Sequence, residues 1–417
     1  MTTAPETKRP YHPLSLSDMD FWALTTEQRD PVFAQLRAEA PVSWHPPVAG
    51  KLMTPENDGY WAVTTNELIA EVSNNPEIFC SGEGIQFEEV PQEFQDAALS
   101  FLGMDGERHL NYRRLVHAAF TPRQVRKIEA QVEARAAKLV DELIEAGSGN
   151  FVAQLAARLP MDTIYDMLGL PDELRKEAAH LADMLVGWND PELAAGRSPA
   201  DMVSDSLIGL LTMALEFTAE TRANPRDDIW TELTRAEVDG EQLSDEDIAS
   251  FFVLLSVAGN DTTRNTITLG TKALLEHADQ RAWLMEDYSG RINRSIEEIV
   301  RWVSPVMTFR RTATRDTVLG GQEIKAGEWV VMFYASGNRD EQAFEDPWTF
   351  DLSREPNGHV GFGGGGPHYC MGHFLAKMQL RHIFHQLLTR VPDLDLGEPR
   401  HVVGNFVYAV NHLDFRV

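Results

Sequence analysis

The chain has 417 residues, 43% of them hydrophobic, and carries 37 Lys and Arg against 64 Asp and Glu, a formal net charge of −27. Such a surface repels phosphate backbones and anionic headgroups, which argues against nucleic acid or a membrane surface as partner. Two cysteines, Cys80 and Cys370, cannot make a disulfide framework and fit a reducing cytoplasm.

The opening "MTTAPETKRPYHPL" lacks the apolar core of a secretion signal. Residues 1–18 read as a flexible tail, and 19–417 as one domain, since no Gly/Ser run, Pro-rich spacer or repeat divides them. "VSW" (42–44) and "YWAVTT" (60–65) predict a short hairpin. Residues 76–105 read as irregular, with scattered apolar residues such as Ile85, Phe87 and Leu102. From 106 to about 302 helical periodicity dominates, as in "PRQVRKIEAQVEARAAKLVDELIEAG" and "DMVSDSLIGLLTMALEFTAETRAN".

"SDEDIASFFVLLSVAGNDTTRNTITLGTKALLEH" then predicts one long helix, with Ser244 as N-cap and three acidic residues at the positive end of its dipole. About 33 residues at ~1.5 Å each would cross the whole domain. Its most apolar run, "FFVLLSVAG" (251–259), is about half of the ~20 residues a membrane span needs, so it reads as a central core helix. Beyond Arg301 come strand-like pieces such as "GEWVVMFYA", a glycine-rich segment, a helix over 371–390 and a β-like tail. The expected class is mainly α with a small β region.

The glycine-rich segment "HVGFGGGGPHYCMGHFLAKMQ" (359–379) places Cys370 where a helix begins. A thiol there has its pKa lowered by the dipole and free amides, favouring metal ligation or nucleophilic chemistry. The glycines would turn N–H groups toward the sulfur, and Gly372 would let a flat group approach. "GFGGGG" (361–366) formally fits a dinucleotide loop but lacks the strand and βαβ unit around it. A zinc site from His368, Cys370 and His373 lacks a second thiolate. A nucleophilic cysteine with a histidine partner stays open on the loop alone, as does a single axial thiolate to heme iron.

With three further features the sequence resembles the cytochrome P-450 heme-thiolate monooxygenases, whose loop reads Phe-Gly-x-Gly-x-His-x-Cys-x-Gly. Phe362, Gly366, His368, Cys370 and Gly372 match it, with one residue too many between Phe362 and Cys370. "SIEEIVRW" (295–302) supplies the family's Glu-x-x-Arg as Glu298 and Arg301, which the resemblance completes with Arg354 into a structural lock. "AGNDTT" (258–263) matches the oxygen-activation motif. There Gly259 leaves space above the heme, Thr262 bonds back to a carbonyl and opens the helix, and Asp261 with Thr262 forms an acid–alcohol proton relay.

The resemblance implies the cytochrome P-450 fold, with heme b held noncovalently between the long central helix and the cysteine-loop helix. It makes Cys370 the iron ligand and His109, Arg113, Arg311 and His368 the propionate contacts. No flavin or iron–sulfur pattern is present, so electrons need a separate carrier. "RRLVHAAFTPRQVRK" (113–127) holds five basic residues and no acidic one. It suits docking of an acidic ferredoxin that is itself reduced through NAD(P)H, with Arg114, Arg126, Lys127 and Lys377 as contacts.

Apolar segments would overhang the heme, with Phe87, Val257, Ala258, Val306, Phe309 and Phe406 as pocket residues, and favour a lipid-like substrate. "DMDFWAL", residues 236–265 and "GFGGGGPHYC" further resemble actinobacterial enzymes that hydroxylate the terminal carbon of methyl-branched lipids and sterol side chains. The resemblance therefore implies a cytoplasmic, monomeric monooxygenase using O2 on a branched fatty acid, isoprenoid or sterol tail. Rival readings are oxidation of another hydrophobic small molecule, a peroxide-driven peroxygenase or isomerase, and a non-catalytic heme lipid binder.

Overall fold

The computed structural model describes residues 9–417 except 49–51, 54, 118–119, 121, 189, 227 and 239. The hairpin expected near the start is β1 (Val42–His45) and β2 (Tyr60–Val63), paired antiparallel with Val42 opposite Val63. A short helix, α1 (Asn66–Asn74), and a two-residue strand, β3 (Phe79–Cys80), follow. Within the stretch expected to be irregular, Gln92–Leu99 is in fact helical.

The helical body comprises α2 (Gly106–His117), α3 (Pro122–Ala146), α4 (Arg158–Leu168), α5 (Asp172–Val186) and α6 (Pro199–Ala223). By length and composition α6 could cross a membrane, but it packs along α5 and the central helix, as a core helix does. That central helix is two helices, α7 (Asp245–Ala258) and α8 (Asp261–Glu276), broken at Gly259–Asn260. Ser244 caps α7 as expected, its hydroxyl accepting from the Asp247 N–H while the Asp247 carboxylate accepts from Ser244. Every residue from Ile248 to Ser256 is buried, so α7 is central.

Next comes α9 (Tyr288–Val303), then β4 (Thr308–Ala313), β5 (Trp329–Phe333) and α10 (His373–Arg390). The main sheet runs β1-β2-β5-β4-β3. A C-terminal hairpin pairs β6 (Arg400–His401) with β7 (Val410–His412). Its loop touches the sheet side, where Val306 bridges Val407.

The looseness expected through residue 18 does not hold for residues 9–18. Arg9 lies over the rings of Trp44 and Trp61, 4.8 and 4.5 Å from their centroids, and pairs with Glu328 at 2.6 Å. Leu16 is fully buried beside Phe21 and Trp22. An isolated surface pair contributes under about 1 kcal/mol, but the two indoles hold this guanidinium in place.

Candidate active site

Residues 361–372 lead into α10. The Cys370 N–H donates to the Phe362 carbonyl at 2.9 Å and closes the loop. Gly363 and Gly365 take φ of +99° and +101°. Close approach demands the other glycines: a Cβ on Gly366 would sit 2.0 Å from the Ser73 carbonyl, and one on Gly364 would sit 2.6 Å from Ser73 Oγ. The loop therefore lies against the end of α1, where Asn74 Nδ2 donates to the Gly364 carbonyl at 2.9 Å. Packing against α1 thus sets these glycines, and the amides that face the sulfur belong to Gly372 and His373. Left-handed glycines also absorb the extra residue, because Phe362 still lines the same cavity as Cys370. Beside Gly372 the space is open, as expected.

The thiol departs from expectation. Burial pushes the Cys370 thiol up, while the amides of Gly372 and His373 and the charges of Arg113 and Lys377 pull it back only partly. Desolvation outweighs the helix terminus. A thiolate in this position calls for direct coordination to a cation, the chemistry of a metal ligand.

Above the loop, Arg301 clamps Glu298 through two hydrogen bonds, Nε to Oε2 and Nη2 to Oε1, each 2.7 Å, and both residues are fully buried. Arg301 also donates to the carbonyls of Asn338, Pro347 and Thr349. Glu298 further accepts from the Asp351 N–H and Asn357 Nδ2, both at 3.0 Å. Arg354 stands where the resemblance placed it, its Nε 3.3 Å from Glu298 Oε2 but off the hydrogen-bond direction, while its Nη atoms hold three carbonyls. Asn338, one of the residues Arg301 holds, accepts from the Val360 N–H at 2.8 Å. The lock thus reaches the residue that leads into the loop.

His109, on α2, stacks on His368 with ring centroids 4.1 Å apart. Burial and neighbouring arginines hold both rings neutral, with His109 lowered to about 4 and His368 to about 2. His109 Nε2 and His368 Nδ1 are buried without a partner. Arg113 donates to the Tyr369 carbonyl and Arg311, on β4, to the Arg310 carbonyl, and neither has a carboxylate partner among the described residues. Half-buried Arg113, buried Arg311 and the His368 imidazole line one cavity, with His109 stacked on His368 and a thiol at the floor; together they fit a flat group with a metal ion and two carboxylates. Heme meets that description. Tyr334, directly after β5 and on the same wall, is a lining residue that the sequence did not single out.

A cavity of about 210 Å³ lies between this loop and the central helix break. Ala258, Gly259, Thr262, Val306 and Phe309 line it, as expected of them. So do Leu254 and Leu255, from the apolar run of the central helix expected to overhang the heme, and Ile85 and Phe101, which sequence alone could not tell from core. Thr262 Oγ1 donates to the Ala258 carbonyl at 3.1 Å, the back-bond that accompanies the break. The glycine before it is tight: a Cβ on Gly259 would meet Ile164 of α4 at 2.9 Å.

Three pocket assignments change. Phe87 is 1% exposed and packs edge-on against Tyr60 and Phe333 in the core below the sheet. Val257 is half-buried but absent from the cavity wall. Phe406 touches Phe309, centroids 5.3 Å apart, but faces a second cavity.

Asp261 is 1% exposed and lies off the cavity wall, beside Arg264, which in turn pairs with Asp183 of α5 at 2.6 Å. Neither Asp261 oxygen receives an aligned hydrogen bond. Burial pushes its carboxyl up, to about 6, against the pull of Arg264 and with Asp183 adding to the rise. Such a group carries and gives up a proton near neutral pH.

Of the docking candidates, Arg114, Arg126 and Lys127 are exposed. Lys377 is partly buried instead: it pairs with Glu297 and lies 5.0 Å over the Phe362 ring. Its partner, Glu297, also binds His359 at 3.0 Å, so that lysine belongs to the loop's support.

The cytochrome P450 family model matches residues 170–391. The methyl-branched lipid omega-hydroxylase of Mycobacterium tuberculosis is 40% identical over 98% of this chain and 96% of its own. A steroid C26-monooxygenase of Rhodococcus jostii is 40% identical over 91% of this chain and 79% of its own. A Mycobacterium marinum cytochrome P450 solved in complex with pseudoionone is 52% identical, with a TM-score of 0.96 and coverage of 98% and 99%.

Replacing Arg301 by Lys keeps the charge but loses the bidentate clamp and most of the carbonyl contacts. Urea unfolding should show a loss of about 3 kcal/mol, the scale for breaking a buried pair. The variant should also lose heme faster in a transfer assay, and unchanged retention would separate the lock from the loop.

Proposed function

The chain belongs to the cytochrome P450 family, and on that premise we propose that it hydroxylates the terminal methyl of an uncharged, methyl-branched lipid, using O2 and electrons from a ferredoxin. One observation carries this reading: the cavity over Cys370 has apolar walls away from the loop. Its only charged side chains among the described residues, Arg113 and Arg311, stand with the residues that suit the heme carboxylates. The reacting end therefore meets only apolar side chains, which suits the hydrocarbon terminus of an isoprenoid or sterol tail. The names of the hydroxylase and monooxygenase relatives, and the pseudoionone bound by the Mycobacterium marinum enzyme, support the same class.

Heme held by Cys370, with Arg113, Arg311, His109 and His368 for its carboxylates, supplies dioxygen activation and insertion of one oxygen atom into a C–H bond, the other leaving as water. The chain's own residues position the substrate and manage protons. Leu254, Leu255, Val306 and Phe309 exclude water and hold a chain end. A terminal methyl C–H bond is stronger than the methylene bonds beside it, so regioselectivity rests on that placement. Thr262 keeps its hydroxyl on the wall, anchored to Ala258. Asp261, directly before it in the chain and with its carboxyl pushed up by burial to about 6, serves as the acid that resupplies that hydroxyl. Exposed Arg114, Arg126 and Lys127 give an acidic carrier a landing surface on a protein that otherwise repels it. Two free cysteines suit a reducing cytoplasm.

Incubation of the reconstituted enzyme with branched isoprenoids, sterol ketones and fatty acids, followed by product analysis, tests the reading. Primary alcohols from the uncharged lipids are expected, and oxidation confined to internal carbons would overturn it.

Thr262→Ala should bind substrate normally yet release most reducing equivalents as hydrogen peroxide. Asp261→Asn should cut turnover about tenfold or more and flatten its pH dependence near 6, on the scale of general-acid catalysis. Unchanged coupling in the first variant would remove Thr262 from proton delivery.

Converting both Arg126 and Lys127 to Gln should slow reduction by ferredoxin several-fold at low salt, with the difference fading in high salt. Stopped-flow measurement of heme reduction reads this directly, and equal rates at low salt would place docking elsewhere.

A further inference from the structure

A second cavity, of about 220 Å³, lies on the far side of the Phe309–Phe406 contact. The end of α5, α8 and the C-terminal hairpin loop enclose it. Most of its wall is apolar, with Val152, Val186, Trp188, Val403 and Phe406 among the lining residues. It adjoins the first cavity along one wall: Phe309 faces the first and Phe406 the second, and Val306 of the first is bridged to Val407 of the second.

The polar groups of this second cavity are largely satisfied. Asn405 donates to Glu88 at 3.1 Å, Asn411 to Asp190 at 2.7 Å, and Arg264 to Asp183 at 2.6 Å. Arg264 Nε has no partner, but it is sealed from the cavity space by its surroundings. Asp183 and Asp261 already balance the charge of that guanidinium, so the cavity favours an uncharged chain over a carboxylate.

The first cavity has to hold both heme and the reacting end of the substrate. The loop from Gly361 to Gly372 forms one whole side of it, with Arg113 and Arg311 beside the loop, and heme takes that side. Leu254, Leu255, Val306 and Phe309 line the cavity away from the loop, on the side left to substrate.

We propose that the second cavity holds the far part of the substrate: an uncharged lipid chain passes the Phe309–Phe406 contact and continues along its apolar wall. This rests on the terminal-hydroxylation reading and extends it, making Phe406 the partition between two compartments.

Spectral titration of the heme enzyme with a short isoprenoid alcohol, geraniol, and a long one, geranylgeraniol, tests it without turnover. In the unmodified enzyme the long alcohol should bind at least tenfold more tightly. Filling the second cavity by Ala157→Phe, or from another wall by Leu193→Trp, should weaken geranylgeraniol at least tenfold and leave geraniol within twofold. A long alcohol that binds no more tightly than the short one, or variants that weaken both equally or neither, overturns the proposal and leaves the cavity to water alone. Failure of the functional reading looks different: the chain-length effect on binding persists while no terminal alcohol is formed.

Discussion

The fully buried Glu298 carboxylate is the point from which this site is built. It is held by both nitrogens of the Arg301 fork and by groups from Asp351 and Asn357, which come from a different part of the chain. Taking two charges out of water costs several kcal/mol per ion, and such a pair is often no more stable than an apolar substitute. Its value here is geometric. The clamp fixes residues 338–357 against α9, and those residues deliver Val360 and hence the loop that carries Cys370. A loop with three glycines in left-handed conformations has little stiffness of its own. Rigidity comes from α9 above and from the end of α1 below.

A different kind of cost is accepted in the central helix. Gly, Asn, Asp and two Thr in succession weaken a helix, and the ladder does break between α7 and α8. The break gives Thr262 a carbonyl to bond and a wall position for its oxygen. The buried acid next door turns the other way, toward Arg264 and α5. One broken turn thus presents an alcohol to the cavity and a carboxyl to its back. That division keeps a group able to ionise out of an apolar compartment while leaving it one residue from the reaction. α5 carries both Asp183 and part of the second cavity's wall, so substrate shape and the environment of Asp261 share an element.

The parts legible in the sequence are those whose chemistry demands a residue type at a spacing. Cys370 at a helix start, Glu298 three before Arg301, and the acid–threonine pair in a glycine-broken helix are each improbable as packing alone, and each stands where its pattern placed it. Apolar contacts carry no such mark. Phe87 and Ile85 lie two residues apart in one segment, yet one is core and the other cavity wall, because only the fold decides which side faces the space. Lys377 reads as a surface cation until Glu297 comes within reach from α9, a pairing across 80 positions that local patterning does not encode. The thiol illustrates a third limit: the helix terminus is visible in sequence, the degree of burial is not, and burial wins.

Charge complementarity ties these pieces to the cofactor. In the folded chain a desolvated sulfur faces one way, while Arg113, Arg311 and two neutral imidazoles converge from α2, β4 and the loop. These elements are far apart in sequence, so the set exists only in the native state. A ligand that recognises the native set and not the unfolded chain stabilises the fold by its own binding free energy. Cations with depressed proton affinity are the ones that gain most from carboxylate partners, since burial has already removed their water. Folding and cofactor binding are therefore linked through the same four side chains, and the Glu298 clamp, by positioning the loop, sets the strength of both.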